Sequence, residues 1–168
     1  MLPDHGRFKF SAIVERPDYT WPDGKRLAFY VALNMEHFSY GEGLGISMSP
    51  GIPHPNTYNW AWREYGNRVG VWRLLELFGA LGLPISVLLN SEHQNDLNEA
   101  GEAALIAEAT DTIARHEGKP PGGWLSPGVN PSDVTPDLLQ EAGYTYILDW
   151  PMDDQPAMSP DCGGRIGV

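Results

Sequence analysis

The chain has 168 residues, a length typical of one domain, and 42% of them are hydrophobic, enough for a folded core. Its formal net charge of −11 argues against nucleic acid or an anionic membrane as a partner. The single cysteine, Cys162, excludes an internal disulfide and a thiolate metal cluster. The start lacks an apolar signal core and no stretch is long enough to span a bilayer. We therefore expect one cytoplasmic domain over residues 1–168, with residues 1–25 as an irregular lead-in.

The first half of the chain predicts two strands around one helix. The uniformly apolar Leu27–Leu33 is typical of a strand buried on both faces, as in a parallel sheet. Residues 38–66 are rich in Gly, Pro and aromatic residues and predict a long loop, whose aromatic rings either stack on a ligand or close over the core. Helical spacing predicts a helix from about Asn67, its N-cap, to Leu81. Residues 84–90 predict the second strand.

The second half continues the alternation of helix and strand. The pattern predicts a helix over 97–118, a short strand over 122–128, a helix over 135–143 with Thr135 as its cap, and a last strand ending at Asp149. This order implies parallel strands with crossover connections. A β/α barrel and a doubly wound sheet both fit it.

Polar side chains follow the apolar strands at the end where such folds bind ligands. Asn34, Glu36 and His37 come at the end of the first strand, and Asn90 ends the second. Glu36 suits a general base, and His37 suits a metal ligand or an acid. The alternative is an ion pair at the rim of the sheet.

The last strand carries a second candidate. Asp149 either orients a catalytic group or caps the following turn, while Asp153 and Asp154 are expected to be solvated loop acids. His93 is expected to be a surface residue. Motifs for phosphate binding, a serine nucleophile elbow and a helical zinc site are absent from the sequence, so nucleotide use has no support.

Four blocks of sequence together resemble the polysaccharide deacetylase superfamily, in its divergent allantoinase-like branch. The blocks are RLAFYVALNMEHFSYGEG, YNWAWREYGNRVGVWRLLELFGALGLP, GWLSP and TPDLLQEAGYTYILDWPMDDQP. The resemblance extends from about Ile13 to Ile166. It implies a distorted β/α barrel, a role in carbohydrate metabolism and hydrolysis of non-peptide carbon–nitrogen bonds.

The resemblance also implies roles for individual residues. Glu36 and His37 occupy the positions of the family's two leading aspartates, so Glu36 would be the base and His37 a ligand of a divalent metal, usually zinc. Asp149 matches the late aspartate at a strand end. We expect Asn34, Trp124 and Trp150 to contact substrate. A metal-free scheme, with Glu36 as base and His37 as acid, is the alternative within the family.

The chain departs from the family pattern in two places. Judged by the family pattern, we expect an internal segment with the histidine motif to be absent after the second strand, and we expect the family's C-terminal part, which follows the position of Ile166, to be absent as well. Four strands are predicted, whereas a closed barrel typically has eight strands and about 250 residues. We therefore expect an incomplete barrel that hydrolyses a small-molecule or glycan amide, with a homo-oligomer as an option. The alternative is a catalytically inactive binding protein or fragment.

Overall fold

A computed structural model describes residues 6–41, 48, 51–53, 55–90 and 98–157. Contacts within the chain divide it into two compact units, Lys25–Asn95 and the combination of Met1–Gly24 with Asp96–Val168. The prediction of one domain over residues 1–168 stays a prediction. The lead-in is irregular as expected, with short 3₁₀ turns at Ile13–Glu15 and Pro22–Gly24.

The Lys25–Asn95 unit is a parallel strand pair joined by a long helical crossover. Strand β1, Val31–Met35, pairs in register with β2, Ile85–Leu89. Between them lie α1, Thr57–Tyr65, a π-helical turn, Gly66–Gly70, and α2, Val71–Leu81. Two parallel strands need such a crossover, because the end of the first strand and the start of the second lie at opposite ends of the sheet.

The first helix of the crossover begins at Thr57, ten residues earlier than the sequence predicts. The Asn56 side chain caps α1 by accepting a 3.0 Å hydrogen bond from the Asn59 amide, so the assignment of residues 38–66 to a loop is wrong for α1. The assignment of Asn67 as an N-cap is wrong too, because Asn67 lies inside the π-helical turn. The predicted end is confirmed: Gly82, at φ 63°, follows the last residue of α2.

Strand β1 is displaced toward the C-terminus relative to the predicted Leu27–Leu33, and it is not buried on both faces. Leu33 is its one buried member, whereas Leu27 and Phe29 precede the strand and are 78% and 77% exposed. The sheet formed by the described residues here has two strands. One helical connection cannot cover both faces of a two-stranded sheet, although both strands are apolar enough in sequence to be buried on both faces.

The other unit contains α3, Glu99–Glu117, and then β3, Gly123–Trp124, α4, Thr135–Glu141, and β4, Tyr146–Ile147. Strands β3 and β4 are parallel. The Asn98 side chain caps α3 by accepting a hydrogen bond from the Gly101 amide. Thr135 is the first residue of α4 and makes no cap there, contrary to the prediction.

One hydrophobic cluster holds α3, α4 and β4 together. Its buried members are Ile106, Leu139, Tyr144 and Ile147. The Tyr144 hydroxyl lies 2.9 Å from the Thr110 Oγ1 atom, so the one polar group of this cluster has a partner on α3.

The chain is therefore an α/β protein with short parallel strands, as predicted. The described part of the chain forms two separate strand pairs and no closed barrel. None of its helices has both the length and the apolar composition needed to cross a membrane.

The packing of β3 against β4 leads to a prediction about two adjacent glycines, Gly122 and Gly123. A Cβ atom at Gly123 would lie 2.1 Å from the ring of Tyr146, whereas one at Gly122 would meet its nearest neighbour at 3.6 Å. Gly123→Ala is expected to lower the free energy of unfolding by about 1 kcal/mol, the low end for overpacking, because the Tyr146 ring is 45% exposed and can turn aside. Gly122→Ala, the matched control, should change it by less than about 0.5 kcal/mol. Urea unfolding checks both, and equal losses in the two variants would contradict the packing argument.

Candidate functional site

Three of the predicted site residues lie at the carboxyl end of β1. Asn34 is exposed on the strand opposite Leu88, and β1 ends at Met35. Glu36 and His37 follow directly in the loop, and both are exposed. The strand has thus ended before the pair begins, which removes the alternation that would send adjacent side chains to opposite faces.

His37 faces a carboxylate that the sequence reading did not single out. The His37 Nδ1 atom lies 3.9 Å from Oε1 of Glu64 on α1, and Arg68 Nε donates to Glu64 Oε2 at 2.8 Å. Glu64 is the less exposed partner, with 16% of its side chain exposed against 68% for His37. Because Arg68 follows Glu64 by one helical turn, it holds the carboxylate in place from the π-helical turn that continues α1.

The peptide bond between Glu36 and His37 is held from both sides. Its carbonyl accepts a 2.7 Å hydrogen bond from Asn67 Nδ2, and its N–H donates to Asn90 Oδ1 at 2.7 Å. The Asn90 side chain also donates to the His37 carbonyl at 2.8 Å through Nδ2. We call Asn67 and Asn90 the asparagine clamp. Asn67 lies in the π-helical turn, and Asn90 is the residue that follows β2.

Aromatic side chains join the same loop to α1. The Arg63 guanidinium lies 4.3 Å from the centre of the Phe38 ring, and the rings of Tyr40 and Trp60 meet edge to face at 5.4 Å. These contacts tie the loop after β1 to the helix. The other α1 aromatics do not close over a core, because Tyr58 and Trp62 are 64% and 51% exposed.

Asp149 lies in the other unit, with both carboxylate oxygens bonded to Ser126. The Ser126 amide donates to Oδ1 at 2.7 Å, and the Ser126 hydroxyl donates to Oδ2 at 2.6 Å. Trp124 Nε1 donates to the same hydroxyl at 3.0 Å. Asp149 and Ser126 are both buried. Burial raises the pKa of Asp149 above its ordinary value of 3.8, and the bonds from Ser126 oppose that shift.

The structure therefore assembles the predicted site residues as two groups. Asn34, Glu36 and His37 belong to the β1 end, and Trp124 and Asp149 are joined through Ser126 in the other unit. Trp150 packs on the hydrophobic cluster and meets the Phe8 ring edge to face at 5.4 Å. The substrate-contact roles of Trp124 and Trp150 stay predictions.

Asp153, just beyond Asp149, is an exposed loop acid as expected, but it has a partner that the sequence did not indicate. Arg16 of the lead-in donates to both its oxygens, at 2.8 and 2.6 Å. The hydrogen bond from Arg16 lowers the Asp153 pKa from 3.8 to about 2. A lowered carboxylate pKa contributes stability that is present above pH 3.8 and is lost as the pH falls toward 2.

Removing the guanidinium should reverse that shift. In Arg16→Gln we expect the Asp153 pKa to return toward 3.8, and the protein to lose less stability than the parent between pH 4 and 2. Carboxyl-carbon NMR measures the pKa, and urea unfolding at several pH values measures the stability. Arg26→Gln, which removes one positive charge elsewhere, serves as the control. An Asp153 pKa near 2 in Arg16→Gln would show that another group holds the carboxylate.

The described residues at the β1 end do not by themselves make a catalytic zinc site. Across the described ranges, no three His, Cys, Asp or Glu side chains converge as metal ligands. His37 and Glu64 are two candidates where such a zinc needs three protein ligands, and Glu64 is already engaged with Arg68. His5, His54, Glu92, His93 and Cys162 lie outside the described residues.

Glu64 and Asn67 are the site residues that sequence reasoning missed. Both stand in the YNWAWREYGNRVGVW block, where the unbroken run of helix-compatible residues was the available signal for an earlier helix start. Asn90 was noticed at a strand end, but its bonds to the His37 backbone depend on the pairing of β1 with β2.

Comparison with known proteins identifies no family: no family model, no curated protein and no solved structure matches the chain.

Proposed function

We propose that this chain hydrolyses non-peptide carbon–nitrogen bonds, in the manner of the polysaccharide deacetylase superfamily that its sequence blocks resemble. The fold proposed with it is an incomplete form of that family's β/α barrel. The observation that supports the proposal best is the arrangement after β1. Glu36 is next to an imidazole that faces the Glu64 carboxylate, and Arg68 holds that carboxylate in turn.

The proposed chemistry uses a base and an acid. Glu36 takes a proton from a water molecule, whose oxygen attacks the carbonyl carbon of the substrate. The carbon–nitrogen bond then breaks, and protonated His37 gives its proton to the departing nitrogen. The Glu64 carboxylate lies 3.9 Å from His37 Nδ1, on the side of the ring away from Nε2, which is the nitrogen that would carry the proton to the substrate.

No step of this scheme is routed through a metal, because the described residues at the β1 end offer two candidate ligands, His37 and Glu64. A divalent ion such as zinc would polarise the carbonyl and activate the water. Of the two schemes that the family resemblance allows, the metal-free acid–base scheme is the one supported by the His37–Glu64–Arg68 arrangement.

The substrate class is an uncharged or weakly charged amide, ureide or glycan amide. The chain carries a net charge of −11, which repels strongly anionic substrates. Asn34 is exposed at the same strand end and can donate and accept hydrogen bonds. We propose that it binds the polar groups beside the scissile bond.

A second candidate is a catalytically inactive partial barrel that binds a partner. It is favoured by the large apolar side chains exposed in the β1–β2 unit, which include Leu27, Phe29, Trp72, Leu81 and Leu89, each more than half exposed. Exposed apolar patches on a folded protein mark contact surfaces. This candidate predicts self-association and no turnover.

Amine and ammonia release from N-acetylated sugars, ureides and cyclic imides tests the first candidate. We expect turnover of at least one class, unchanged after dialysis against a chelator and unchanged by added zinc. Turnover that requires zinc would replace the acid–base scheme by a metal scheme. Absence of turnover, together with concentration-dependent association in sedimentation, would favour the inactive partial barrel.

A further inference from the structure

The peptide bond between Glu36, the proposed base, and His37, the proposed acid, has a hydrogen-bond partner at its carbonyl oxygen and another at its N–H. Asn67 donates to the Glu36 carbonyl, and Asn90 accepts from the His37 N–H. Both bonds are 2.7 Å long, and the partners come from different elements. A peptide plane bonded at both edges cannot rotate without breaking at least one bond, so the clamp sets the directions in which Glu36 and His37 leave the backbone.

The π-helical turn is what brings Asn67 to this position. In this turn the Val71 amide bonds to the Gly66 carbonyl, five residues back, rather than to the residue four back. The extra residue rotates the chain relative to a regular α-helix, and Glu64 on the preceding turn still faces His37. Single π-helical turns within α-helices are rare and occur frequently at functional sites.

Asn90 is bonded in a different way, as an extension of the sheet. Its amide donates to the Met35 carbonyl at 3.4 Å, beyond the last residue pair of β1 and β2. Its side chain then supplies the donor and acceptor that a further residue of β2 would have supplied, and bonds both polar groups of the His37 backbone. The loop after β1 is thus held in a defined conformation although its side chains are exposed.

From this geometry we infer that Asn67 and Asn90 are positioning residues, which orient Glu36 and His37 through their shared peptide bond. The inference rests on the proposed function for its catalytic consequence, but the clamp itself is measurable without turnover. Asn67 is used as a donor, so an aspartate in its place loses the bond and sets a carboxylate against a carbonyl oxygen.

The test compares two Asn→Asp substitutions that add the same charge. Asn67→Asp removes a donor that is in use. Asn98→Asp, the matched control on α3, keeps the acceptor that bonds the Gly101 amide, and aspartate caps a helix as well as asparagine does. Amide hydrogen exchange of the His37 N–H is measured by NMR in both variants, and hydrolysis is measured on the substrate class that the parent protein turns over.

In Asn67→Asp the Glu36 carbonyl loses its donor, so the shared peptide plane can turn away from Asn90 Oδ1, the acceptor of the His37 N–H. We therefore expect the protection of the His37 amide to fall about tenfold. We expect kcat to fall about 10- to 100-fold with little change in KM, because the reacting groups are misplaced while substrate contacts remain. Asn98→Asp should change neither quantity. Asn67→Gln, which keeps an amide donor, should recover part of both and shows the effect in a second folded variant.

The exchange measurement also separates this inference from the proposed function. Unchanged His37 protection in Asn67→Asp overturns the clamp, whether or not the protein turns over any amide. A loss of protection with an unchanged kcat in an active protein overturns the positioning role. A loss of protection in a protein that turns over no substrate supports the clamp and counts against the hydrolase.

Discussion

Glu36→Gln is expected to reduce amide hydrolysis by about 10²–10⁴-fold while leaving the fold intact, because it removes the general base of the proposed reaction. Glutamine is nearly isosteric, and the Glu36 side chain is exposed, so the substitution removes no buried contact. The backbone bond from Asn67 to the Glu36 carbonyl does not depend on the side chain. Steady-state rates and urea unfolding of the same preparations measure the two expectations.

Glu76→Gln is the matched control for this result, since Glu76 is an exposed glutamate on α2 of the same unit. It removes the same charge and should leave the rate unchanged. If Glu36→Gln retains the parent's kcat, another group accepts the proton from water and the assignment of Glu36 fails. If both variants lose activity equally, the effect reflects the overall field of the protein instead of a positioned base.

Asp149→Ala is expected to lower the free energy of unfolding by about 2–4 kcal/mol. The Ser126 amide and hydroxyl both donate to this carboxylate, and a buried donor left without an acceptor costs about 1–3 kcal/mol. Asp149→Asn keeps an acceptor for the Ser126 amide and loses the one for the hydroxyl, so about half the effect should remain. Urea unfolding at pH 7 measures both variants.

The pH dependence of the same variants gives a second expectation. Burial raises the Asp149 pKa, so the folded protein keeps a proton that the unfolded chain has released. The stability contributed by Asp149 therefore falls as the pH rises from 3.8 through the raised pKa. The advantage of the parent protein over Asp149→Asn should be largest at low pH and shrink on the way to neutrality. An advantage that grows with pH would mean that the buried carboxylate has a lowered pKa.

The candidate site shows how far residue patterns alone can lead. Glu36 and His37 could be proposed because a carboxylate and an imidazole directly follow an apolar run, and such runs end where parallel sheets bind ligands. Glu64 could not be paired with His37 from the sequence, since 27 residues separate the two. Their contact requires the helix to begin at Thr57 and to lie against the loop after β1.

The missed helix start has a similar cause. Residues 51–56 are rich in Pro and Gly, which indicate a loop, and the exposed aromatics of α1 leave no apolar stripe that a period of 3.6 would reveal. What starts the helix is a local cap, the Asn56 side chain on the Asn59 amide. The π-helical turn is likewise invisible to periodicity, because five residues are too few to show a changed period.

The sequence by itself determined the α/β class, the parallel direction of the strands, the ends of the helices at glycine and the position of Glu36 and His37 after the first strand. These follow from local rules, which act over one turn or one strand and need no distant partner. Only the tertiary structure decided the partners of those residues: Glu64 for His37, the asparagine clamp for their peptide bond and Ser126 for Asp149. Those contacts join residues 23 to 53 positions apart, and the chain conformation that brings them together depends on the packing of all the elements between.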